Sequence, residues 1–213
     1  MATVSVVFDL DGTLWDSRPW YEFLAEGISP GQGNAGNNAA KLLRNAGFTP
    51  LSFERACAES IIPLFEGVMG AIKELSASGV AMAAATNLPA WIALPMIKAA
   101  ELDEFFPVVI DWGATSRHKP KPDPLLLAAK RLGMKPVDCW YVGDDPSDAL
   151  AAVAAGMRFA WASWGYSESA PPATRSLKRP KDIALLKGRD VSGAAKIATE
   201  HSASASPSAL MAP

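Results

Sequence analysis

The chain has 213 residues, 49% of them apolar, enough to pack the core of one α/β domain with a modest accessory element. Twenty basic side chains stand against 22 acidic ones, and the resulting formal charge of −2 excludes a bulk positive field as the means of holding nucleic acid or an anionic membrane. An anionic ligand must therefore be captured locally.

The opening segment MATVSVVFDLDG has no basic stretch followed by a long apolar run, and nowhere do ~18 apolar residues follow one another as a membrane span requires. The expectation is a soluble, cytoplasmic protein. Cys57 and Cys139 have an unpaired-looking spacing that suits a reducing interior better than a disulfide scaffold.

Residues 4–8 form a nearly continuous apolar run rich in β-branched side chains, as in a strand buried on both faces of a parallel sheet, and the run stops at Asp9. Between Asp16 and Glu66 the pattern turns helical, with pieces predicted over 19–25, 38–46 and 53–60 around the Gly- and Asn-rich segment SPGQGNAGNN. A helix is predicted over 68–79 through Ile72 and Leu75, then a strand over 80–85. The helix following Leu88 should be kinked or broken at Pro95.

A short strand over 108–110 precedes a well-punctuated helix. There Asp123-Pro124 reads as N-cap and first turn, Leu125, Leu126, Ala129 and Leu132 make the apolar stripe, and Gly133 ends it. Strands over 139–142 and 159–162 flank an Ala-rich helix over 146–156. Alternating elements of this kind imply an α/β fold, a Rossmann-like doubly wound parallel sheet with a small inserted helical cap. The expected division is a core of residues 1–15 and 67–190, a cap of residues 16–66, and a disordered Ala/Ser-rich tail over 191–213.

Candidate chemistry gathers at the C-terminal ends of the predicted strands, where open α/β sheets place their ligand crevice. In Asp9-Leu10-Asp11-Gly12-Thr13 two carboxylates emerge on one side of an extended segment, and Gly12 lets the chain turn sharply away. Such a pair calls for a compensating cation, and hard oxygen ligands favour Mg²⁺. Gly143-Asp144-Asp145-Pro146-Ser147-Asp148 supplies more carboxylates at another strand end. Thr86-Asn87 ends the strand over 80–85, where a hydroxyl and amides suit phosphate oxygens, although such a pair alone more often makes only a turn. Lys119 lies in a loop stiffened by Pro120, Pro122 and Pro124, which fixes where its ammonium points. Asp148 reads equally as a site residue or as a first-turn acid favoured by the helix dipole.

His118 and His201 are too few and too separated for a histidine mechanism or a zinc site. Trp15, Trp20, Trp91, Trp112, Trp140, Trp161 and Trp164 read as core or cap-interface aromatics, with Trp15 and Trp20 also placed to face a ligand. Arg18 reads as a surface salt-bridge residue, with ligand contact as its alternative.

Taken together, FDLDGTLWDS, TN, KPKPDP and VGDDPSDALAAVAAGM, in that order over residues 4–165, resemble the motifs of the haloacid dehalogenase superfamily. The resemblance implies a magnesium-dependent hydrolysis of small phosphate monoesters through an aspartyl-phosphate, with Asp9 as nucleophile and Asp11 as acid and then base. It further implies Mg²⁺ held by the carboxylates of Asp9 and Asp144 and the main-chain carbonyl of Asp11, phosphoryl contacts from Thr86, Asn87 and Lys119, and Asp148 behind them. Lys119 rather than Lys121 matches the functional lysine, and Asp145 is a lesser candidate for the same shell. The acid at position 11 separates this chain from the dehalogenases, whose halide leaves unprotonated, and the helical insertion resembles the cap of the phosphoglycolate-phosphatase-like branch, though it is shorter. The implied partner is a small phosphorylated metabolite; neither nucleic acid nor membrane is expected, and monomer and homodimer both stay open. A phosphosugar mutase, a phospho-accepting signalling domain and a catalytically silent binding protein are the alternative readings.

Overall fold

The computed structural model describes residues 4–18, 35–60 and 62–188. Its centre is a six-stranded sheet of β1 (Ser5–Phe8), β2 (Ala81–Ala85), β3 (Val109–Ile110), β4 (Cys139–Gly143), β5 (Arg158–Ala162) and β6 (Arg175–Leu177), in the spatial order β3-β2-β1-β4-β5-β6. Every pair is parallel, with Ser5 opposite Ala81 on one side and Cys139 on the other. The chain order reverses at β1, which places a crevice beyond the carboxyl ends of β1 and β4.

Alternation along the strands divides the interior into two layers. Val6, Phe8, Met82, Ala84, Trp140 and Val142 face one way, and Val7, Ala83, Ala85, Tyr141 and Phe159 the other. The first face is covered by α3 (Val68–Ala77), α4 (Ala90–Ala99) and a 3-10 helix, Pro180–Lys187, through Ile72, Leu75, Ile92, Met96, Ile183 and Leu186. The second is covered by α5 (Asp123–Arg131) and α6 (Pro146–Ala155), whose Ala128, Ala129, Ala151 and Ala152 allow close approach to the sheet. Two further helices, α1 (Ala35–Asn45) and α2 (Pro50–Ala58), precede α3, and α2 meets α4 where Phe53 sets its ring edge-on to Trp91 at 5.5 Å.

Several elements differ from expectation. α4 runs unbroken through Pro95. Burial of Ile92, Met96 and Ile97 against the sheet, about 1.5–3 kcal/mol for each such side chain, outweighs the proline penalty of about 3 kcal/mol. α5 is capped by Pro122 rather than Asp123, whose carboxylate is instead drawn to Arg117 Nε at 2.9 Å. α1 begins at Ala35, inside the Gly/Asn-rich segment, and α2 at Pro50, where Thr49 and Ser52 form a capping box. Neither β6 nor the 3-10 helix was expected: three residues at a sheet edge carry too little pattern. Trp15 is fully buried in the core, which closes a ligand-facing role to it. The helical piece predicted over 19–25, Trp20 and the tail over 191–213 lie outside the described residues. Among the described residues no helix is long and apolar enough to cross a membrane.

Candidate active site

β1 delivers Asp9 to the sheet edge, where its main-chain N–H still bonds Val142 O at 2.8 Å, so the acid leaves the strand in a fixed direction. The chain then coils at once: Leu14 N–H bonds Leu10 O at 2.7 Å and Gly12 N–H bonds Trp15 O at 2.9 Å. Gly12 has φ +81°, and a Cβ there would stand 2.5 Å from Asp144 Oδ2, so only glycine serves. This turn sets Thr13 Oγ1 to donate to Asp144 Oδ1 at 3.0 Å.

A cavity of about 300 Å³ opens at this edge, lined by Asp9, Asp11, Thr86, Asn87, Lys119, Asp144 and Asp148 among others. All seven candidates from the sequence thus converge. Trp112 and His118, stacked at 3.3 Å, form one wall.

Lys119 is the positive centre. Its buried ammonium donates to Asp9 Oδ1 and Asp148 Oδ1, each at 2.7 Å, and to Tyr141 OH at 2.8 Å. Desolvation opposes its charge, but Asp148 and Asp9 outweigh that and push its pKa up. Asp148 is consumed by this duty, because its other oxygen accepts from the main-chain N–H groups of Asp144 and Asp145 at 3.2 and 3.1 Å. The Asp145 carboxylate caps α6 by accepting from Ser147 N–H at 2.8 Å. Asn87 turns its side chain to the main chain of Lys119, donating to its carbonyl at 3.1 Å and accepting from its N–H at 3.2 Å. Thr86 Oγ1 accepts from Leu88 N–H at 3.1 Å, which leaves the hydroxyl hydrogen for another acceptor.

The carboxylates outnumber the ammonium. Oxygens of Asp9, Asp144 and Asp148 lie within 4.8 Å of one another. Burial pushes Asp9 up against the pull of Lys119, with Asp148 and Asp144 adding to the rise. Burial, then repulsion from Asp148, pushes Asp144 up to about 7. Hard, buried, mutually repelling oxygens beside an open cavity fit a divalent cation such as Mg²⁺. Asp148 is the most heavily engaged of the three, with Lys119 and Tyr141 on one oxygen and two main-chain N–H groups on the other, whereas Asp144 has one partner on each oxygen and Asp9 has Lys119 on Oδ1.

Asp11 sits apart from the lysine. Its Oδ1 accepts from Ser17 Oγ and from Tyr166 OH at 2.6 Å, while its buried Oδ2 has no hydrogen-bond partner. Burial raises its pKa, and the Ser17 and Tyr166 bonds only partly offset that. Ser17 and Tyr166 were missed from the sequence. The segment after β5 is a strand end like the other four, which marks the stretch beginning at Ser163 as part of the crevice without singling out Tyr166. Arg18 is exposed and pairs with Asp16 at 2.7 Å, as expected of a surface salt bridge.

Comparison with known proteins gives the chain its family. The profile of the haloacid dehalogenase-like hydrolases matches residues 48–162. Phosphoglycolate phosphatase of Xylella fastidiosa is 33% identical over 185 residues, 76% of this chain and 81% of its own length. Phosphoglycolate phosphatase 1 of Pseudomonas aeruginosa is 32% identical over 196 residues, 79% of this chain and 72% of its own. A haloacid dehalogenase-superfamily hydrolase of subfamily IA from Geobacter sulfurreducens superposes with a TM-score of 0.68 at 23% identity, covering 87% of this chain and 100% of that one. With its strand order, its clustered acids and lysine and its sequence kinship in accord, the chain belongs to the haloacid dehalogenase-like hydrolase family of enzymes.

Proposed function

We propose that this enzyme is a magnesium-dependent phosphatase of small phosphate monoesters, phosphoglycolate among the first to test. The carrying observation is the convergence of Asp9, Asp11, Thr86, Lys119 and Asp144 on one cavity at the carboxyl edge of the sheet. The names of relatives that share a third of their residues over most of their length support the substrate class.

In this reading Lys119 holds Asp9 Oδ1, and Asp9 Oδ2, which has no hydrogen-bond partner among the described residues, attacks phosphorus. The new Asp9–phosphorus bond forms as the bond to the leaving oxygen breaks, and Asp11 gives that oxygen its proton. Water then attacks phosphorus, Asp11 takes a proton from it, and the Asp9 carboxylate is released. A cation held by the Asp9 and Asp144 carboxylates and the main-chain carbonyl of Asp11 would supply the charge that lets an anionic nucleophile approach an anionic ester. Thr86 Oγ1 donates to the phosphoryl oxygens, and Lys119 Nζ, whose three hydrogens go to Asp9, Asp148 and Tyr141, adds its positive charge and donates to them by releasing Tyr141; Asp148 aims the lysine, and Asn87 serves by clamping its main chain. Residues 16–66 act as the cap that selects the leaving group, over a core of residues 1–15 and 67–190.

Phosphate release from phosphoglycolate, sugar phosphates and p-nitrophenyl phosphate, with Mg²⁺ and with excess EDTA, tests the reading. Magnesium-dependent release is the expected outcome. No release from any ester by folded protein would refute it, and a bisphosphorylated sugar formed without free phosphate would make the enzyme a mutase.

A further inference from the structure

Tyr166 belongs to none of the sequence motifs, yet it touches two of the acids in the cavity. Its phenol donates to Asp11 Oδ1 at 2.6 Å and accepts from Ser17 N–H at 3.1 Å, while its own main-chain N–H donates to Asp144 Oδ2 at 2.8 Å. We propose that Tyr166 is a positioning residue that determines which oxygen of Asp11 carries the transferable proton; this rests on the reading of Asp11 as acid and base.

The argument is one of hydrogen-bond inventory. A phenol has one hydrogen to donate. Asp11 Oδ1 is the nearest acceptor, closer than Asp16 Oδ1 at 3.2 Å. Ser17 Oγ reaches the same Oδ1. An oxygen that accepts from both hydroxyls cannot also hold a proton of its own without displacing one of them. The proton of neutral Asp11 is thereby assigned to Oδ2, the buried oxygen with no protein partner. Oδ2 is closed off in this arrangement, so the Asp11 carboxyl must turn slightly toward the cavity, pivoting on the bonded Oδ1, before that proton passes to the ester oxygen as it parts from phosphorus.

The phenol is itself held. The Arg18 guanidinium lies 4.3 Å from the ring centroid and is fixed by Asp16. Trp164 Nε1 ties the same segment to Thr13 O at 3.0 Å, and at Gly165 a Cβ would collide with Asp144 and the carbonyl of Gly12. The segment after β5 is thus seated directly on the turn after β1. Without the hydroxyl, Asp11 keeps only Ser17, and its carboxyl gains freedom to exchange the two oxygens.

Tyr166→Phe removes the hydroxyl and keeps the ring, the Arg18 contact and the main-chain bond to Asp144. The comparison is kcat/KM, which reports the steps up to the phospho-aspartate, for phosphoglycolate and for p-nitrophenyl phosphate, in wild type, Tyr166→Phe, Asp11→Asn and the double variant. A glycolate oxygen needs the proton in order to leave and a nitrophenolate does not. Tyr166→Phe should therefore lose about tenfold on phosphoglycolate and less than about twofold on the aryl ester. Added to Asp11→Asn it should cost nothing more. Ser17→Ala should repeat the selective loss at smaller size and serves if Tyr166→Phe does not fold. Equal losses on both esters, or a loss that multiplies in the Asp11→Asn background, would overturn the role of Tyr166. If Asp11→Asn itself slows both esters equally, the acid assignment of Asp11 has failed and the inference falls with it.

Discussion

Two depressions among the described residues differ in character. One of about 740 Å³ lies between α2 and α4 and is lined by Cys57, Trp91, Leu94 and Pro95 among others, and one of about 300 Å³ lies at the sheet edge and is lined mainly by acids, Lys119 and polar groups. Volume favours the first and chemistry the second. Apolar groove residues follow from packing two helices together, whereas three buried carboxylates around a single ammonium cost folding energy that packing does not return. Groups kept at such cost point to function.

The largest effect that separates the two regions should come from Asp9→Asn. Its amide cannot attack phosphorus, so turnover should fall by at least about a thousandfold. Lys119 keeps Asp148 and Tyr141 as partners, so the thermal midpoint should stay within a few degrees. Pure variant enzyme with wild-type turnover would remove Asp9 from the mechanism.

Next comes the cost of the acidic cluster, read as stability against pH. Asp144 titrates near 7 when folded, against an ordinary value of 3.8. A carboxyl that holds its proton more tightly when folded favours folding while protonated. That contribution is complete below about pH 4 and is lost as the pH rises through about 7. With EDTA present, the melting temperature should therefore fall between pH 5 and pH 8 on account of this group. Mg²⁺ should restore it chiefly at the upper end, where protons no longer compete, by about 2.7 kcal/mol at a hundredfold excess over the dissociation constant. Thermal unfolding across that range checks it, and stabilisation by Mg²⁺ that is equal at pH 5 and pH 8 would contradict the cluster as its site.

The contrast also explains what could be read from the chain alone. β1, β2, β4 and β5 are buried on both faces and show as apolar runs, and each acid that ends a run was visible with it. β6, with Arg175 half-exposed at a sheet edge, has no such run. Direction was harder to read than place. Asn87 sits at the expected strand end, yet its amide turns to the main chain of Lys119, a partner set by the loop rather than by spacing. The Tyr166–Asp11 contact joins positions far apart in sequence, and no local pattern encodes it. Pro95 misled for a related reason, since a local penalty was outweighed by burial that depends on the rest of the fold.

The smallest expected effect tests the other half of the comparison. Leu94 lines the groove and is 50% exposed, so Leu94→Ala forfeits only part of its burial, about 1 kcal/mol or less. If the groove is only a packing feature, kcat and KM should stay within about twofold of wild type while the thermal midpoint drops by a few degrees at most. A fall in kcat/KM well beyond the stability change would mean that the α2–α4 contact transmits to the sheet edge. The apolar groove and the acidic cavity would then be one functional unit, and the division drawn from their linings would have to be abandoned.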